Sequence, residues 1–343
     1  MDATTLSNIQ KRMRYPNLPI PSGELPEGKG MFLYVIDRIG TAVEVAEKAK
    51  AAGFDWVAIK VQNGRLLTDG GKDERYFLQL PIKQMFQELQ KRGIQAIGWG
   101  YVYLNSDEQV LYEAATTLDA IRLYEPDGWI INAEGEARGQ HTRVQRYLEG
   151  LRHWLKNDYV LGYSGYRFPK TYQPDYPIKQ FATFCNYAVP QVYWVGAHNP
   201  GEQLDRCLAE YFELDALYGT RTTIIPAGAA YPSGNWKPSV TELRLFYTAV
   251  KSHRLPGWTY WEWYYAKNEP TWWAEIASQI ADEENPSGDY KALLLEWFAF
   301  LGMESTRIED ATEQVLQMAE DLRAYTAEIE AKRKQIEDQL KHG

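Results

Sequence analysis

The sequence predicts an α/β fold, a (β/α)8 TIM barrel with a C-terminal helical, coiled-coil-like extension. Eight short apolar runs recur at intervals of roughly 24 to 40 residues, each followed by a helical pattern. No long antiparallel run interrupts the alternation, so the sheet is expected to be parallel, and eight units suit a closed barrel better than an open doubly wound sheet. The extension is read from Ile308, Val315, Leu322, Ile329 and Ile336, which fall at a strict heptad spacing beyond the linker Asn285-Pro286-Ser287-Gly288. With 343 residues, 45% of them hydrophobic, the chain can bury the core such a barrel needs.

Residues 1–29 read as an irregular arm, rich in Pro and Gly towards its end. Met31–Asp37 (MFLYVID) is the first strand, and an amphipathic helix over Ala42–Ala52 closes at Gly53. Asp55–Val61 and Ile94–Tyr101 follow as strands, separated by a helix over Ile82–Arg92 that stops at Gly93. A helix over Asp107–Tyr124 leads to a fourth strand in DGWIINAEGEAR, Asp127–Arg138. The second half repeats the rhythm, with strands at Tyr159–Ser164, Val189–Val195, Thr222–Ala227 and Gly257–Trp263. Helices precede them at Thr142–Leu155, Ile178–Asn186, Gln203–Tyr218 and Val240–Ser252. The expected division is an arm at 1–29, a barrel at 30–284, and a linker and long helix at 285–343.

Composition excludes several functions. Asp and Glu number 46 against 37 Lys and Arg, which argues against a general nucleic-acid binder. Cys185 and Cys207 are too few for a disulfide scaffold and lack metal-ligand spacing. The histidines form no HxH or HExxH pattern, and there is no GxGxxG or GxxxxGK[ST] loop, so no metal or organic cofactor is expected. The opening residues lack the apolar core of a signal peptide, and no apolar stretch reaches a membrane span. Cytoplasmic synthesis is therefore expected, with phage lysis or carriage on a particle as routes to a cell wall. The 12 Trp and 24 Tyr are a surplus that suits stacking on sugar rings as well as packing a core.

In a barrel of this kind the chemistry sits where the strands end. Along the fourth strand, alternation places Asn132 and Glu134 on one face, with Glu136 beside them if the strand persists. The same residues read equally well as loop acids in water, or pairing with Arg138. The other strand ends supply Asp37; Lys60 and Gln62; Trp99 and Tyr101; Tyr163; Gln191 and Tyr193; and Glu262 between Trp261 and Trp263. Carboxylates among aromatics and amides are what glycoside hydrolysis requires, two acids across a sugar bond and flat faces for the ring. Lys60 also reads as an ion-pair partner of Asp37, and Gln191 and Tyr193 as polar filling of the barrel's top layer.

The order of motifs resembles the family 25 glycoside hydrolases, the bacterial and phage lysozymes that cut peptidoglycan. YVID at Asp37 is similar to that family's first strand, and Ile59-Lys60-Val61-Gln62-Asn63-Gly64 to its KATEG-like second. Asn132-Ala133-Glu134 stands in frame with its DxE pair, Gly162-Tyr163-Ser164-Gly165 with its tyrosine-bearing fifth strand, and Pro190-Gln191-Val192-Tyr193-Trp194 with its sixth. The resemblance spans about residues 31–283 and implies a lysozyme-type hydrolase with Glu134 as general acid. Asn132 replaces the family's Asp, and an amide supplies no negative charge. The second carboxylate then falls to Glu136, or to Asp37 and Glu262. Two other readings stay open: a glycan-binding barrel without catalysis, and a structural subunit of a phage tail or contractile injection particle. Residues 307–343 are the expected site of self-association or of contact with a particle partner.

Overall fold

The computed structural model describes residues 2–34, 38–64, 80–155, 158–172 and 174–280. Asp37 and the whole of 285–343, with the expected linker and heptad helix, lie outside the described residues.

The strands are β1 (Gly28–Leu33), β2 (Trp56–Asn63), β3 (Gln95–Tyr101), β4 (Gly128–Asn132), β5 (Leu161–Tyr166), β6 (Tyr187–Val192), β7 (Thr223–Ile224), β8 (Ala227–Ala229) and β9 (Gly257–Trp261). All pair in parallel, and β9 returns to β1 in register Gly28↔Gly257 through Met31↔Tyr260, closing the sheet. β7 and β8 are two halves of the seventh stave, both paired with β6. The break falls at Ile225-Pro226, where the proline has no N–H for the ladder while its carbonyl still accepts from Thr259 N at 2.9 Å. The chain is thus a (β/α)8 barrel, as its alternation predicts.

The helices are α1 (Ala3–Gln10), α2 (Ala42–Ala51), α3 (Leu80–Gln90), α4 (Asp107–Tyr124), α5 (His141–Leu155), α6 (Ile178–Phe184), α7 (Pro200–Tyr218), α8 (Val240–Ser252), α9 (Trp263–Asn268) and α10 (Pro270–Ser278). Sequence sets their starts: Thr41 with Glu44 and Ser239 with Glu242 form capping boxes on α2 and α8.

Two cores follow from the strand period. Outward residues pack with the helices, while Phe32, Trp56, Ala58, Ile97, Trp99, Ile130, Tyr187, Val189, Ile225 and Ala227 fill the barrel. The lower interior admits Trp56 and Tyr187 because glycine faces each. A Cβ on Gly30 would lie 2.1 Å from the Trp56 ring, and one on Gly162 would lie 2.3 Å from Tyr187. The barrel is plugged from below, so its open polar end is the C-terminal mouth.

The arm departs from its irregular reading. Asp2 caps α1, Ile9 and Met13 are buried, and Asp119 of α4 accepts from Arg14 N at 2.6 Å and Tyr15 N at 2.8 Å. β1 also begins before its apolar run, because Gly28 and Gly30 fit the ladder and Lys29 buries its stem. The Lys29 ammonium donates to the carbonyls of Ile276, Ala277 and Gln279 at 3.0, 3.1 and 2.5 Å, tying the end of α10 to the first strand. Burial pushes this amine down to about 8.

Candidate active site

The mouth is organised around the end of β4. Register aligns Tyr101 with Asn132 and Asn132 with Ser164, and Tyr166 with Gln191, so β3 to β6 end side by side. Asn132 points inward and is 6% exposed; the strand then stops, and Glu134 precedes a short 3-10 turn at Gly135–Ala137. Glu134 is half-buried, and its Oε1 accepts from Asn132 Nδ2 at 3.2 Å and from Gln191 Nε2 at 3.0 Å. Gln191 Nε2 also lies 3.3 Å from Asn132 Oδ1. Two amides therefore orient one carboxyl group and hold one of its oxygens.

Tyrosines surround that carboxyl. Tyr101, Tyr166, Tyr176, Tyr193 and Tyr231 all feel the charge of Glu134, and each is raised above the usual phenol range, burial being the largest cause. These phenols stay protonated and serve as hydrogen-bond donors. Tyr176 OH donates to Ala133 O at 2.9 Å and fixes the backbone just before Glu134. Tyr101 OH bonds Glu136. Glu136 is exposed on the turn and not on a continued strand, because β4 ends at Asn132; it reaches the mouth through Tyr101.

An aromatic wall faces this centre from β1, β3 and β9. The Trp261 ring lies 5.7 Å from Phe32, 5.4 Å from Tyr34 and 5.5 Å from Trp99, and Trp99 Nε1 donates to Leu33 O at 3.1 Å. Lys60 points inward with its ammonium 4.5 Å from the Tyr34 ring centroid and 5.3 Å from Trp99. Tyr34 is 39% exposed and presents an accessible face.

Four of the strand-end residues singled out from the sequence take no place at this mouth. Gln62 faces the helices, where its amide donates to Gly64 O at 3.0 Å and Glu113 O at 3.1 Å and accepts from Thr117 at 2.7 Å. Tyr163 stacks on Phe181 at 5.1 Å, and Trp263 packs on Phe54 and Trp273. Tyr163 sits one residue out of phase with the inward set of β5, Gln62 follows a register shift between Lys60 and Gln62, and Trp263 lies past the end of β9 as the first residue of α9. Glu262 is 2% exposed and caps α9, accepting from Tyr264 N at 3.2 Å and Tyr265 N at 3.3 Å; burial raises its carboxyl. Asp37 lies outside the described residues.

Other residues join the mouth without a signal in the strand ends as read. Tyr166 stacks on Tyr172 at 3.9 Å, and Tyr231 meets Tyr193 at 5.4 Å and Trp236 at 6.4 Å. Extending the inward parity of β5 by two residues past Ser164 finds Tyr166. The proline break hides Tyr231 by obscuring where the seventh stave ends.

No family model matches the chain, and no curated protein matches it in sequence. Its fold is that of solved glycosidase-type barrels. A GH18 chitinase from Pseudoalteromonas aurantia aligns with a TM-score of 0.54 at 15% identity, over 74% of this chain and 99% of that one. The spore cortex-lytic enzyme SleL of Bacillus megaterium aligns with 0.52 at 11% identity, over 74% of each chain. A xylanase and α-amylase inhibitor protein from Scadoxus multiflorus aligns with 0.52 at 13% identity, over 74% and 98%. The assignment to family 25 is not supported. The motifs behind it are short, and two residues that carry them, Gln62 and Tyr163, face the helices and not the mouth.

Among the described residues no group of three or more His, Cys, Asp or Glu is placed to hold a metal ion. No helix among them is long and apolar enough to cross a membrane.

Proposed function

We propose that the protein is a glycoside hydrolase acting on an N-acetylated glycan of the chitin or peptidoglycan type, with Glu134 as general acid. The observation that carries this reading is one half-buried carboxyl group, oriented by Asn132 and Gln191, at the mouth of a barrel walled by aromatic rings. Sugar rings stack on Trp261 and on the exposed face of Tyr34, whose rings lie 5.4 Å apart.

Glu134 protonates the glycosidic oxygen as the bond to the anomeric carbon breaks. A second carboxylate is served poorly by Glu262, whose oxygens cap a helix, or by exposed Glu136, which Tyr101 holds. An N-acetylated substrate supplies the alternative. Its acetamido oxygen attacks the anomeric carbon, and water then displaces that oxygen while returning a proton to Glu134, the substrate-assisted exception to the two-carboxylate rule. Asn132 hydrogen-bonds the acetamido group in this scheme, a task an amide performs without charge.

A barrel that binds glycan without cutting it is the second reading, favoured by Asn132 where a carboxylate would strengthen the site. Reducing-end release from chitin oligosaccharides and peptidoglycan, measured beside calorimetric binding, separates the two. Binding with no new reducing ends selects the second. Self-association through 307–343 is proposed from the heptad spacing alone, and sedimentation with and without those residues tests it.

A further inference from the structure

Arg138 follows β4, Arg167 and Lys170 follow β5, and Arg206 of α7 packs beside them on Phe168. Arg138 pairs with Asp175 at 3.2 Å, Lys170 with Glu213, and Arg206 with Glu210 at 2.9 Å. Arg167, the first residue after β5, has no carboxylate partner among the described residues. It is half-buried, with its guanidinium 4.9 Å from the Phe168 ring, while Arg206 lies 3.9 Å from the same ring. Two guanidiniums thus share one aromatic ring, and among the described residues only Arg206 has a carboxylate partner.

Its remaining neighbours lead to the mouth. Tyr172 and Tyr231 both interact electrostatically with Arg167. Tyr231 also feels Glu134, and Tyr172 stacks on Tyr166, which does so too. Arg167 follows directly on Tyr166, the inward residue that ends β5 beside Gln191, and so lies at the rim of this mouth. Burial lowers its guanidinium below the usual arginine value. A half-buried cation without a counter-charge carries a desolvation cost that an incoming anion offsets, and the planar fork of arginine matches a carboxylate.

The geometry points to Arg167 as the seat of a carboxylate carried by the glycan, so that the substrate class is an acidic N-acetylated glycan and not a neutral one. This rests on the proposed reading of Glu134 only in placing the glycan at this mouth. Lactyl-bearing wall strands have the required chemistry.

The test compares three sets of oligosaccharides of one length: strands bearing lactyl carboxylates, the same strands with those carboxylates converted to amides, and neutral N-acetylglucosamine oligomers. Affinities are measured by calorimetry for the full chain and for Glu134→Gln, which removes turnover from the readout. The acidic strand is expected to bind about 10- to 100-fold more tightly than its amide, with a preference that weakens as salt rises. Arg167→Gln is expected to lose most of that preference. Equal affinity for the acidic and amidated strands overturns the proposal, as does a preference that survives in folded Arg167→Gln. An Arg167-dependent preference without cleavage by the wild type keeps the carboxylate seat and removes the hydrolase reading. Cleavage abolished by Glu134→Gln, with no preference for acid, does the reverse.

Discussion

Gln191 shows how much one amide does at this mouth. It reaches Glu134 at 3.0 Å and Asn132 at 3.3 Å, so it orients the acid and its neighbour together. Gln191→Ala is expected to lower kcat about 10-fold with a smaller change in KM, because it loosens the acid more than it removes a sugar contact; steady-state kinetics on an N-acetylated oligosaccharide check this. Gln62 gives the opposite expectation. Its amide is buried against Glu113 and Thr117, so Gln62→Ala should cost about 1–3 kcal/mol of stability, read by chemical denaturation, with the loss in folding and not in KM. The contrast explains what was legible at this scale. Alternation along β4 places Asn132 and Glu134 on one face from sequence alone. Lys60 and Gln62, and Trp261 and Trp263, share one face by the same alternation, but a register shift in β2 turns Gln62 to the helices and β9 ends at Trp261, leaving Trp263 in α9; neither break is visible in the local pattern.

Elements were legible where an apolar run and a cap coincide, as at α2 and α8, and less so where small or charged residues enter the ladder. β1 opens with Gly-Lys-Gly, and its lysine is buried because three carbonyls at the end of α10 receive the ammonium. No local pattern announces that partnership, which spans nearly the whole barrel in sequence. Lys29→Met should strip the partner from those carbonyls and destabilise the barrel by about 3–5 kcal/mol. The pH dependence follows from the direction of the shift. The folded amine titrates near about 8, against 10.5 for an ordinary lysine, so between those values the unfolded chain binds a proton that the native chain does not. Stability from this group therefore rises with pH across that window, and denaturation midpoints from pH 8 to 10.5 should show a rise that Lys29→Met lacks. The arm escaped reading for a related reason: α1 is short, and its anchor, Asp119, comes from a helix distant in sequence.

At the scale of the molecule, the β-α rhythm suffices to specify a closed barrel, and closure decides where chemistry can occur. Trp56 and Tyr187 fill the lower interior opposite glycines, leaving the strand C-termini as the open end. Family was less legible than fold, since the motifs read as family 25 are only a few residues long and two of the residues that carry them, Gln62 and Tyr163, turn to the helices. The central claim is that Glu134 gives a proton to a glycosidic oxygen at this mouth. It is tested most directly by reducing-end release from purified peptidoglycan and from chitin oligosaccharides, with wild type beside Glu134→Gln and thermal melts of both. The account predicts release by the wild type and a fall of about 10²- to 10⁴-fold in the variant at an unchanged melting temperature. Equal rates in the two proteins, or no release by a wild type that still binds the glycan, would contradict it.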